Sequence, residues 1–139
     1  MNDILERAIL LVTEAGSYIC QSARACDQPN LEYMHKSSIG DLVTSVDLDV
    51  QNRLSKVLLE LLPNSHILGE EAKSPDSDLG GIVWILDPVD GTTNLVHGLP
   101  YVAISLALYD SGLRALGLTH CAYSKNKIRW GYNRCSAPR

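Results

Sequence analysis

Apolar residues change their spacing partway along this chain. In residues 3–24, Ile4, Leu5, Ala8, Ile9, Val12, Ala15 and Ile19 recur at intervals of three and four. That is the period of one helical face, so a long amphipathic helix is predicted there. Val46, Val50, Leu54, Val57, Leu58 and Leu61 repeat the pattern. A second helix is expected from Thr44 as N-cap, with Asp47 at its third position and Pro63 ending it. Beyond residue 80 the apolar residues run together instead. Gly81 to Leu86 contains Ile82, Val83, Trp84, Ile85 and Leu86, which predicts a strand buried on both faces. Further strands are expected at His66–Gly69, Tyr101–Tyr109 and Leu113–Thr119, the last two joined by a short turn at Asp110-Ser111-Gly112. Ile128 to Tyr132 is read as an edge strand. Cys26–Gly40 and Ala72–Gly81 are read as polar loops.

A chain of 139 residues is about one domain. Its net charge of −4 and pI near 5.5 argue against a nucleic-acid partner, because no basic face is available to release phosphate counterions. No apolar stretch approaches the ~20 residues of a membrane span. The start, Met1-Asn2-Asp3-Ile4, lacks the basic and apolar runs of a signal peptide. The cytoplasm is therefore the expected location. Cys20, Cys26, Cys121 and Cys135 show no metal-binding spacing and are expected as free thiols.

The chemistry concentrates in Asp87-Pro88-Val89-Asp90-Gly91-Thr92-Thr93-Asn94, which follows the apolar run at once. Pro88 fixes its own φ and restricts Asp87, so the turn expected here is stiff and the two acids converge. Carboxylates held that close repel each other, and a divalent cation relieves the repulsion. Magnesium, which takes a few carboxylate oxygens plus phosphate and water, suits such a set. Gly91 and Thr92 follow where the chain leaves the strand, and free N–H groups at that point can hold an anion. A surface turn is the competing reading, since Asp, Pro and Gly are the commonest turn formers. Its place at the end of a buried strand favours a ligand site.

These residues, with His97-Gly98-Leu99-Pro100, resemble the signature of the inositol monophosphatase family. Asp41-Leu42-Val43-Thr44-Ser45-Val46-Asp47 and Gly69-Glu70-Glu71 resemble two further segments of that family, in the same order. The resemblance runs from about residue 3 to residue 119. It implies a layered α/β, sugar-phosphatase-like fold in which two long helices pack on a mainly antiparallel sheet. It implies a magnesium-dependent, lithium-sensitive phosphatase of inositol phosphate or a related sugar phosphate, working by in-line attack of metal-activated water without a phosphoenzyme. Glu70, Asp87 and the Val89 carbonyl would hold the first magnesium, and Asp87 and Asp90 would share the second. The Gly91 and Thr92 amides would hold phosphate beside Asp90. Thr92, Asp47 and Glu70 would orient the water, and Lys36 and Asp41 would fall in a loop at the mouth of the site.

Several of these residues have a second reading. Asp47 is also a capping acid, Glu71 a solvated neighbour, and Lys36 an exposed lysine. His66 and His97 lack a second histidine at ligand spacing and are read as structural. The family continues into a second half whose Trp-Asp segment completes the second metal site. Here only Asp110 follows Asp90, and no Trp-Asp pair occurs. The expectation is a truncated chain: a metal-binding domain over residues 1–119, a divergent tail over 120–139, and self-association or a homodimer through exposed strand edges. The competing function, from another class, is a non-catalytic metal- or phosphate-binding remnant acting by association.

Overall fold

The structure is a computed structural model describing residues 2–25, 33–35, 42–69, 80–123 and 128–130. Its first element is helix α1, Asn2–Ala25. Ala8, Val12, Gly16 and Ile19 form its buried stripe, with Ala8, Val12 and Ile19 fully shielded. Short strands β1 (Tyr33–His35) and β2 (Leu42–Thr44) pair antiparallel as a separate ribbon. β1 thus lies inside the segment read as a loop. Three residues without alternating apolar positions leave no strand pattern to read.

Helix α2, Ser45–Leu61, begins directly after β2. Val46, Val50, Leu54 and Leu58, spaced by four, are its buried face. Leu62 N still donates to Leu58 O at 3.0 Å, and Pro63 stops the ladder there. The two helices are tied by side chains. The Tyr18 hydroxyl donates to Asp49, Arg53 reaches the same carboxylate at 3.3 Å, and its guanidinium lies 4.3 Å from the Tyr18 ring centre. The Tyr18 hydrogen bond, with the Arg53 charge adding to it against partial burial, holds the Asp49 carboxyl below its ordinary value.

The main sheet has the order β3-β4-β5-β6-β7, with β3 Ser65–Gly69, β4 Ile82–Asp90, β5 Ala103–Asp110, β6 Leu113–Cys121 and β7 Ile128–Trp130. Only β3 and β4 run parallel, so the sheet is mainly antiparallel as expected. The β5–β6 turn is two residues, Ser111 (φ 52°) and Gly112 (φ 78°), the positive-φ pair that matches strand twist.

Helices α1 and α2 cover one face of the sheet. Under them lie Trp84, Leu86, Ile104, Leu106, Leu108, Leu116 and Leu118, all buried. The other face is shielded only in part. Ile85, Ser105, Ala107, Gly117 and Thr119 are half-buried there, so the expectation of a strand buried on both faces is corrected for β4, where only Val83 on that side is fully enclosed. A continuous apolar run does not distinguish a two-sided strand from one facing a partly open cavity. Among the described residues, no helix is long and apolar enough to cross a membrane. Cys20 and Cys121 are free thiols, and Cys26 and Cys135 lie outside the described residues.

Candidate metal and phosphate site

β4 does not end at Leu86. It continues through Asp87, Pro88 and Val89 to Asp90, so the stiff turn expected after Leu86 is instead an irregularity within the strand. Asp87 pairs with Ser105 and Asp90 with Ala103. Three steps along β4 thus match two steps along β5, and the extra residue makes a β-bulge. Proline has no N–H to give to a ladder and is accommodated at such a bulge. Pro88 and Val89 are buried in it.

The bulge changes which way the acids face. In a regular strand, residues three apart point to opposite sides of the sheet. Ser105 and Ala103 are two apart and share a side, and directly opposed residues share a side as well. Asp87 and Asp90 therefore stand on the same side, separated by a single carbonyl-bearing bulge. Asp87 is half-buried, its Oδ1 shut off from solvent, and Asp90 is exposed.

After the bulge, Gly91 takes a left-handed conformation (φ 95°, ψ 36°) and opens helix α3, Thr92–Val96. The close approach there requires glycine. A Cβ at residue 91 would lie 2.6 Å from the Tyr101 carbonyl oxygen, which Asn94 Nδ2 holds at 2.8 Å. Thr92 Oγ1 donates to Val89 O at 3.0 Å, fastening the helix start to the bulge. Leu95 N bonds Gly91 O at 3.0 Å and Leu95 is buried, which anchors the single turn. The first N–H groups of any helix have no carbonyl of their own helix to meet.

Asp47, the third residue of α2, is buried at 3% exposure. Helix α3 packs against β2, which leads straight into α2, and α2 itself packs against β4. The structure thus gathers Asp87, Val89, Asp90, Gly91 and Thr92 in one continuous segment and brings the helix bearing Asp47 beside it. Glu70, Glu71, Lys36 and Asp41 lie outside the described residues. Among the described residues, no three His, Cys, Asp or Glu side chains group so as to hold a metal ion. His66 and His97 are exposed, and no cluster includes them.

Two polar residues escaped the reading of the sequence. Ser105 and Thr119 share a cavity with Asp87 on the open side of the sheet. Their signal is the alternation of β5 and β6. Ile104, Leu106 and Leu108, then Leu116 and Leu118, face the helices and leave Ser105 and Thr119 on the other side.

The fold and site together define a layered αβ protein with a paired-aspartate bulge running into a glycine-opened helix. The model of the inositol monophosphatase family matches residues 1–137, and the chain belongs to that family of metal-dependent phosphatases. It is 36% identical over 119 residues to the inositol-1-monophosphatase of Bacillus subtilis, covering 85% of this chain and 43% of that protein. It is 36% identical over 109 residues to human inositol monophosphatase 1, covering 75% of this chain and 37% of the relative. It is also 32% identical over 120 residues to the Nus factor SuhB of Pasteurella multocida, covering 86% of this chain and 44% of that protein. Among solved structures, the Thermotoga maritima IMPase superposes with a TM-score of 0.77 at 28% identity, over 95% of this chain and 49% of that one. A staphylococcal inositol monophosphatase-1, in a complex described as lithium-soaked and inhibitory, gives a TM-score of 0.81 at 25% identity, over 94% and 48%. The chain thus spans about half the length, or less, of the relatives it matches.

Proposed function

We propose that this site hydrolyses a phosphate monoester of inositol or a related sugar with magnesium, in the cytoplasm. The single observation that carries the reading is the bulge that turns Asp87 and Asp90 to one side of the sheet. Two carboxylates and a backbone carbonyl are hard oxygen donors, the set that magnesium takes alongside phosphate and water. Asp87 and the Val89 carbonyl, with Glu70, would hold a first ion, and Asp87 and Asp90 would share a second. Magnesium, when bound, supplies positive charge that offsets charge on the phosphate and eases loss of a proton from water.

The chain's own groups do the rest. The Thr92 hydroxyl spends its proton on Val89 O, so its lone pairs remain as acceptors that orient a water. Asp47 and Glu70 would join Thr92 in orienting that water. The Gly91 and Thr92 amides donate to a phosphate oxygen. By the family resemblance, Lys36 and Asp41 would belong to a loop at the mouth of the site.

The test is magnesium-dependent phosphate release from inositol 1-phosphate by the 139-residue chain, beside Asp87→Asn. Turnover that Asp87→Asn lowers by about 1,000-fold or more, the scale of losing a group that stabilises transition-state charge, supports the reading. A wild-type chain that binds magnesium yet releases no phosphate would refute the catalytic part. Similarity to the Nus factor SuhB supports a second, SuhB-like reading, which we take as a non-catalytic chain acting by association. Under that reading, Asp87→Asn leaves the association intact.

A further inference from the structure

Asp90 ends β4, and its pair with Ala103 is the last of the β4–β5 ladder. The bulge separates that pair from the regular register, which stops at Asp87 and Ser105. Terminal pairs fray unless something holds them. Asp90 is exposed, so burial of its own side chain does not hold this one.

The chain just before Ala103 is fastened instead. Towards β6, Ala122 N donates to Val102 O at 2.9 Å. Towards β4, Asn94 Nδ2 donates to Tyr101 O at 2.8 Å. That bond lies at the end of β4, because a Cβ at Gly91 would stand 2.6 Å from Tyr101 O and 3.2 Å from Asn94 Nδ2. Gly91, the Asn94 carboxamide and the Tyr101 carbonyl therefore meet directly after Asp90. Asn94 also accepts Leu99 N on its backbone carbonyl at 2.8 Å, and buried Leu95 anchors the turn that carries it. An asparagine that serves only its own turn bonds backbone groups two to four residues away. Here the carboxamide reaches seven residues on, to the start of the strand that faces Asp90.

We infer that Asn94 is a positioning residue for Asp90. Its carboxamide pins Tyr101, fixes Ala103 opposite Asp90, and so keeps Asp90 on the side of the sheet that Asp87 occupies. The inference rests on the reading of Asp87 and Asp90 as magnesium ligands. An Asn94 with a structural role alone would contribute to stability, and its loss would leave the magnesium affinity of the folded chain unchanged.

The experiment is calorimetric titration of magnesium chloride into the full 139-residue chain. It compares wild type, Asn94→Ala, Asn94→Leu, Asp90→Asn and Gly112→Ala, with urea midpoints as the folding control. Groups that orient metal ligands typically contribute a factor of about 10–100 in affinity. Asn94 acts through the backbone, so Asn94→Ala is expected at the lower end, about tenfold weaker. Asn94→Leu, similar in shape but without a donor, should lose as much and takes the place of the alanine variant if that one does not fold. Gly112→Ala puts a side chain at φ 78° in the β5–β6 turn, away from the site, and should bind like wild type despite its lower stability. Wild-type affinity in the Asn94 variants overturns the inference; if Asp90→Asn has lost affinity, the site reading still stands. An equal loss in Gly112→Ala overturns the inference too, since affinity would then follow stability alone. A wild-type chain that takes up no magnesium overturns the site reading, and this inference falls with it.

Discussion

The ring of His120 lies directly against Gly16: a Cβ built at residue 16 would come within 2.5 Å of both Cδ2 and Nε2 of the imidazole. Both residues are buried, and their contact is where helix α1 sits down on strand β6. One turn further along α1, the Cys20 thiol donates to Ala122 O at 3.0 Å and extends the same seam.

This contact reverses the usual effect of a helical glycine. In an exposed helix interior, Gly→Ala stabilises by up to about 1 kcal/mol. At residue 16 the added methyl forces a buried ring to move, and overpacking of that kind costs about 1–3 kcal/mol. Gly16→Ala should therefore lose about 1–2 kcal/mol net in urea unfolding, on the balance of those two effects. An unchanged or raised midpoint would show that the ring has room to shift.

His120 also gives the fold a pH dependence. Burial holds its pKa below the ordinary 6.5, and Nδ1 has no hydrogen-bond partner. As pH falls through 6.5, the unfolded chain takes up a proton that the folded chain still refuses. Stability contributed by the neutral ring is therefore complete above 6.5 and declines as pH drops from there toward the lowered folded value. Melting temperatures measured from pH 7.5 down to 5.5 should fall, and His120→Gln should flatten that slope. Parallel slopes for the two proteins would assign the dependence to other groups.

How much of this was legible beforehand differs from element to element. Helices α1 and α2 follow from apolar spacing alone, because their buried residues repeat on the helical period. Gly16 falls on that same stripe, yet nothing local says that a strand histidine will occupy the space beside it. The apolar run of β4 was readable, but its end was not. Asp, Pro and Gly argue locally for a turn, whereas pairing with β5 carries the strand on to Asp90. The bulge is a property of two strands in register, and the common facing of Asp87 and Asp90 follows from it. The chemistry of the motif was thus visible in one segment, while the geometry that serves it needed Ser105 and Ala103 on the next strand.

Gly91 and Gly98 bracket helix α3 and provide a matched pair of tests. Both have positive φ, 95° and 68°, where a non-glycine residue costs about 1–3 kcal/mol. They differ in surroundings. Nothing lies within 4 Å of a Cβ at Gly98, whereas one at Gly91 meets the Tyr101 carbonyl at 2.6 Å. That oxygen is backbone, held by Asn94 and by the approach to β5, so it cannot swing aside as a flexible side chain would. Gly98→Ala should then show the dihedral cost alone, about 1–3 kcal/mol. Gly91→Ala should be measurably worse in the same urea titration, because the carbonyl clash adds to the dihedral cost. Equal losses at the two positions would mean that the Tyr101 carbonyl yields and that glycine is required at residue 91 for its dihedral angle alone.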